Sequence, residues 1–289
     1  FRLSGCSSVA ITEAGDLRYD TRFGAIALKG LQSYAGKDRR LQASRFVVND
    51  QRVSIQVQAD DPSAKLVIDP LIWATFCGGS GDDFFDAIAA SPNGQFCVTG
   101  RVRSSDFPIV TGAYDTTLSG LEDVIVSWFN ATGTALLHST FLGSSGFDFA
   151  HQILVDNSNN VFVVGSAESS NFPFTAGSFD PTYNGGGDAF AAKLNATGST
   201  LLFAGSIGGG SDEMALDACL DSQNNLLVAG YTTSEISFTT TPGTYVAPTR
   251  DSIDAFVMRI TNDGDSVLQS MRFGGWTLDE AFGVAVDPG

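Results

Sequence analysis

A 65-residue internal period constrains this chain more than any other feature. Residues 71–135, 136–200 and 201–266 carry one pattern three times, and a fourth copy begins at Val267 and runs to Gly289. The landmarks stay in register: Gly78, Gly143, Gly208 and Gly274; Gly100, Gly165 and Gly230; Asp123, Asp188 and Asp254. The third copy is one residue longer, and the extra residue falls between Gly230 and Gly243. A repeat of this kind is a supersecondary unit that buries its apolar face by stacking on its neighbours.

Each copy holds four strand-like runs, A to D. In the first copy they span roughly 84–91, 95–101, 123–130 and 134–142, rich in Val, Ile, Phe and Thr. Ser91-Pro92-Asn93-Gly94 joins A to B, and Asn130-Ala131-Thr132-Gly133 joins C to D. Asn and Gly tolerate positive φ, so both links read as hairpin turns. A longer loop with Ser104-Ser105-Asp106-Phe107-Pro108 joins B to C, and Gly78-Gly79-Ser80-Gly81-Asp82-Asp83 leads from D to the next A. The fold class expected is all-β: a β-propeller of four-stranded antiparallel blades, three full repeats plus part of a fourth. Ala87, Ala89 and Ala90 suit an innermost strand near a crowded axis. No window keeps a 3.6-residue period, which excludes a helical solenoid, and the period is too long for a parallel β-helix.

Charge divides the chain. Residues 1–70 hold 10 basic and 8 acidic residues, against 16 and 32 in the whole chain, so the −16 net charge divides into +2 there and −18 in the repeats. This step, beside Asp69-Pro70, marks an expected boundary between a small β-rich domain, 1–70, and a propeller segment, 71–289. Acidity argues against a nucleic-acid partner, and no apolar run is long enough to span a membrane as a helix. The chain opens on Phe1 without a signal-peptide pattern, as a processed or cut chain would. The first copy opens with a D-type run, Leu71–Cys77, which in a closed ring completes the last blade and removes open edges. Three and a third blades do not close a ring of ordinary size. The expectation is that C-terminal blades in a longer protein, or alternatively a partner chain, complete it.

The best candidate constellation is acidic. Asp83, Asp148, Glu213 and Asp279 occupy one repeat position, with Asp82 and Asp212 beside two of them. Carboxylates in rows are what calcium requires. The competing reading is that each acid accepts backbone N–H bonds in its own turn. The turn reading is preferred, because a residue repeated in every copy serves the copy; calcium stays a candidate cofactor and no other is expected. The long-loop aromatics Phe107, Tyr114, Phe172, Phe179 and Tyr245 are candidates for sugar stacking, or for pinning each loop to its blade. Cys77, Cys97 and Cys219 align with apolar repeat-mates and read as buried thiols, while Cys6 has none and a bridge to it stays open. His138 and His151 lack histidine repeat-mates, and the Asn130 and Asn195 sequons are explained by hairpin turns.

The S-T-F-L-G stretch at Ser139–Gly143, G-G-S-G-D-D at Gly78–Asp83, S-S-D-F-P at Ser104–Pro108, S-S-N-F-P at Ser169–Pro173, and D-A-F at Asp188–Phe190 and Asp254–Phe256 resemble the bacterial SBBP repeat, a β-propeller repeat of large surface and secreted proteins. Residues 1–70 resemble the β-rich region that precedes such repeats, through Ala14-Gly15-Asp16-Leu17 and Leu66-Val67-Ile68-Asp69-Pro70. The third copy departs at Glu235-Ile236-Ser237-Phe238, which questions that loop's conformation. The resemblance implies a bacterial envelope or extracellular setting and an assembly role. The function expected is a non-enzymatic extracellular or cell-surface scaffold or binding module, part of an adhesin or surface assembly. It would meet a protein or glycan partner on the face carrying the B–C and D–A loops. The alternative is a carbohydrate-active propeller hydrolase or lyase using Asp82, Asp83 and Glu213.

Overall fold

Runs of seven or eight residues dense in Val, Ile, Phe and Ala, closed at both ends by Asn, Asp or Gly, leave the backbone little choice but strands. The computed structural model describes residues 6–21, 24–28, 31–35, 40–49, 52–58, 61, 66–69, 77–234, 237–245 and 253–287. Among them there are nineteen strands and no helix. The chain divides into two units, Phe1–Phe76 and Cys77–Gly289.

In the first unit β1 (Cys6–Ile11), β2 (Leu17–Thr21) and β3 (Gly24–Leu28) form one sheet in chain order. A second sheet runs β6-β5-β4-β7, from β4 (Gln32–Ala35), β5 (Arg40–Asn49), β6 (Arg52–Gln58) and β7 (Leu66–Asp69). Leu17 of the first sheet and Phe46 and Val53 of the second form the unit's buried core cluster.

The second unit holds three antiparallel meanders of the same design. The first repeat sheet is β8 (Asp83–Ala90), β9 (Phe96–Val102), β10 (Asp123–Phe129) and β11 (Leu136–Leu142). The second is β12 (Asp148–Val155), β13 (Val161–Ala167), β14 (Asp188–Leu194) and β15 (Leu201–Ile207). The third is β16 (Glu213–Leu220), β17 (Leu226–Thr232), β18 (Asp254–Ile260) and β19 (Val267–Phe273). Residues 71–76 of the expected leading strand lie outside the described residues.

Stacking supplies the core. Val124, Val126 and Trp128 of the first sheet share one cluster with Ala150, Ile153 and Val163 of the second. Phe162, Val164 and Ala191 of the second share another with Ala215, Ala218 and Val228 of the third. Full burial of one such Val, Ile or Phe is worth about 1.5–3 kcal/mol, and an isolated sheet would forfeit most of it. The contrast is visible within the chain: Ile153 is 1% exposed, whereas its repeat-mate Ile88, on the outer face of the first sheet, is 65% exposed.

The repeat glycines have a steric cause. In each sheet the first strand bulges opposite the second, between Phe85 and Ala87, Ala150 and Gln152, and Ala215 and Asp217. The bulge drives a carbonyl oxygen (Phe84, Phe149 or Met214) into the place where a β-carbon of Gly100, Gly165 or Gly230 would sit. Asn130 and Asn195 stand at the third hairpin of their sheets, where each side-chain oxygen accepts two backbone N–H groups, from Thr134 and Ala135 and from Ser199 and Thr200.

The long loops do more than connect. Asp115 accepts from the Phe141 N–H, Asp180 from the Ser206 N–H, and the Thr241 N–H donates to Ser270. Each loop thus covers the outer edge of the fourth strand of its own sheet, which blunts that edge. Asp83, Asp148 and Glu213 each open a strand, whereas Asp279 does not, and residues 274–287 form none. The Asp279 N–H nonetheless donates to Ile253, as the Asp148 N–H does to Glu122 and the Glu213 N–H to Gly187.

Candidate functional site

Where one repeat sheet passes to the next, the chain must turn sharply and bury polar backbone. The acids do this work. Asp83 accepts from the Gly79 N–H at 2.7 Å, Asp148 from Ser144 at 2.6 Å, Glu213 from Gly209 at 2.8 Å and Asp279 from Gly275 at 2.6 Å. The spacing of four residues is the same in all four copies. The second row behaves alike: Asp123 accepts from the Ser119 N–H and Asp188 from the Asn184 N–H, each at 2.7 Å. The two rows meet at the glycines. Asp188 Oδ1 and Glu213 Oε2 lie 2.8 and 3.1 Å from the place of a Gly208 β-carbon, and Asp254 and Asp279 converge on Gly274 in the same way.

Burial is costly for these carboxylates. Asp123 is pushed up to about 6 by desolvation, against which the Ser119 and Gly120 N–H groups work. Asp148 is pushed up to about 6 by desolvation, with the Asp123 charge adding to it. Asp188, Glu213 and Asp254 shift upward chiefly from burial too. Of the remaining calcium candidates, Asp82 is exposed, and Asp212 accepts the Gly187 N–H at 3.0 Å. Among the described residues, no three His, Cys, Asp or Glu side chains are gathered so as to hold a metal ion.

The S-S-D-F-P stretch is the other half of the turn. Ser104 donates to Asp83 at 2.7 Å and accepts from the Gly81 N–H; Asp106 accepts from the Ser80 N–H and hydroxyl. In the second copy Asn171 takes the Ser145 hydroxyl, and in the third Ser237 takes the Gly210 N–H while Ser234 takes the Ser211 N–H. The divergent third copy therefore keeps the contacts with different residues; Glu235 and Ile236 lie outside the described residues. Phe107 and Phe172, candidates for sugar stacking or for pinning their loops, are each 4% exposed, and Phe238 is 6% exposed. They plug the sheet beneath the loop, Phe172 against Phe190 with ring centroids 4.8 Å apart. Phe179 is half-buried and packs over Gly205. Tyr114 and Tyr245 are exposed.

Two grooves open on this loop face at repeat-equivalent places. The first, of about 330 Å³, lies between the first and second sheets and is lined by Phe84, Arg101, Arg103, Glu122, Phe147 and Phe149. The second, of about 480 Å³, lies between the second and third sheets. There Ser166 replaces Arg101, Glu168 replaces Arg103, Gly187 replaces Glu122, Asp212 replaces Phe147 and Met214 replaces Phe149, with Tyr231 on the third sheet. Comparing the copies position by position is the signal that would have exposed this break in symmetry.

Residues 1–71 match the model of a domain of unknown function (DUF7948). No curated protein matches the chain. Cys97 is buried and its thiol is pushed up to about 12 by desolvation; Cys77 and Cys219 are half-buried rather than fully enclosed, and all three are free thiols. The side chain of Cys6 lies outside the described residues. His138 stacks edge-on against Trp128, and burial lowers the basicity of His151.

Proposed function

We propose that the three repeat sheets are blades of a β-propeller of the SBBP kind, and that the chain is a non-enzymatic scaffold working outside the cell or on a bacterial surface. It binds a partner through the loop face. One observation carries this reading: the acids repeated in every copy are spent on holding their own turns, so the groups free to differ between copies are those in the inter-blade grooves. The bacterial surface setting rests on the sequence resemblance.

The test uses the intact protein. Immobilised on beads, it should retain a protein or glycan partner, lose it on substitution of Glu168 or Asp212 in the loop-side groove, and keep it on substitution of Thr197 in an opposite hairpin. Cleavage of a polysaccharide by the purified protein, abolished by Asp83→Asn, would overturn the scaffold reading in favour of a hydrolase or lyase.

A further inference from the structure

The two inter-sheet grooves differ in what fills them. In the first, Arg101 lies over the rings of Phe84 and Phe149, 5.0 and 5.4 Å from their centroids, and its Nε stands 3.9 Å from Glu122. Arg103 closes on the same carboxylate, which is 3% exposed. The protein thus supplies its own guanidinium to a cradle of rings and an acid. A cation on an aromatic face beside a carboxylate is a favourable arrangement.

The second groove has acids of its own and no cation to meet them. Glu168, Asp212 and Glu213 line it, Tyr231 and Met214 give it a soft apolar floor, and neither Lys nor Arg is among its lining residues. Ser166, in the place of Arg101, is 2% exposed and its hydroxyl has no hydrogen-bond partner. The Glu168 carboxyl is pushed upward by desolvation and by the charges of Asp212 and Glu122, as expected of a site with uncompensated negative charge.

We propose that the second groove binds the guanidinium of an arginine side chain presented by a partner protein, seated against Tyr231 and Met214 and paired with Glu168 and Asp212. Ser166 Oγ accepts one of its N–H groups. The inference rests on the loop face being a binding surface and names the chemistry recognised there.

The chain has three methionines, and of these Met214 alone lines the groove. Protein carrying ¹³C-methyl methionine is titrated with a blocked Gly-Arg-Gly peptide at low ionic strength, with Met214 assigned through Met214→Leu. The Met214 methyl signal should shift saturably while Met258 and Met271 stay fixed. The shift should be absent with the neutral citrulline peptide. Affinity should fall roughly tenfold in Glu168→Gln/Asp212→Asn and vanish in Ser166→Arg, which recreates the filled first groove. Unchanged Met258 and Met271 signals report that the variants fold. Equal shifts with arginine and citrulline, or a Met214 shift with calcium chloride and none with the arginine peptide, would overturn the proposal. A silent Met214 in protein that still captures a partner through the loop face would overturn it while leaving the scaffold reading standing.

Discussion

Lys193 shows how single residues are balanced inside the repeat. It is 5% exposed, yet its ammonium meets Asp156 at 3.2 Å, donates to Asn262 Oδ1 at 2.7 Å and lies 4.5 Å from the centre of the Phe162 ring. The third copy repeats the pair as Arg259 and Asp221; the first has Trp128 and Ser91 at the same two positions. A cation and an acid are exchanged together for two neutral residues, because one left alone would be a buried uncompensated charge. Lys193→Met should therefore destabilise the protein by about 3 kcal/mol, read as a shift in the urea midpoint at unchanged slope. No shift would show the pair to be dispensable. Gly165→Ala belongs to the same scale. Its methyl group would meet the Phe149 carbonyl at the bulge, for a loss of about 3 kcal/mol by the same measurement. The register of Gly100, Gly165 and Gly230 was legible in the sequence, but its reason was not. Sequence shows that a residue recurs; only the backbone shows which carbonyl stands against it.

At the scale of elements, strands and turns were legible because alternation and turn chemistry are local. The first and third pairings of each four-strand repeat sheet follow from short Asn and Gly links. The long loop was harder to read, because its partners are the fourth strand of its own sheet and the turn before the first strand, both far away in sequence. The phenylalanine of its Phe-Pro step is a buried plug. Phe172→Ala should cost about 3–5 kcal/mol, whereas Tyr245→Ala, on an exposed ring, should stay within about 0.5 kcal/mol. Thermal denaturation of the two variants distinguishes them, and equal losses would contradict the plug.

For the molecule as a whole, the repeat acids tie shape to pH. Asp123 and Asp148 titrate at about 6 in the folded chain, against 3.8 for an ordinary aspartate, and burial raises Asp188, Glu213 and Asp254 as well. The folded chain thus binds protons that the unfolded chain releases, so stability rises as pH falls from about 7 to about 4. Groups held low act in the opposite direction. Asp221 sits at about 2: burial pushes it up, but hydrogen bonds from Asn225 and Arg259 outweigh that, and its contribution is lost as pH falls from about 4 toward 2. The net charge of −16 adds self-repulsion at neutral pH. Composition alone gave the sign of that charge; that its key members are buried turn locks, two to a junction, required the fold.

The central claim is that these acids serve the turns between sheets rather than a bound cation. Following the melting temperature of the intact protein between pH 8 and pH 4 tests it most directly, with EGTA in one series and calcium chloride in the other. The account predicts a melting temperature that climbs from pH 8 toward a maximum at about pH 4–5, with the two series superimposed. A melting temperature that falls with pH over that range, or one raised by calcium at neutral pH, would contradict it.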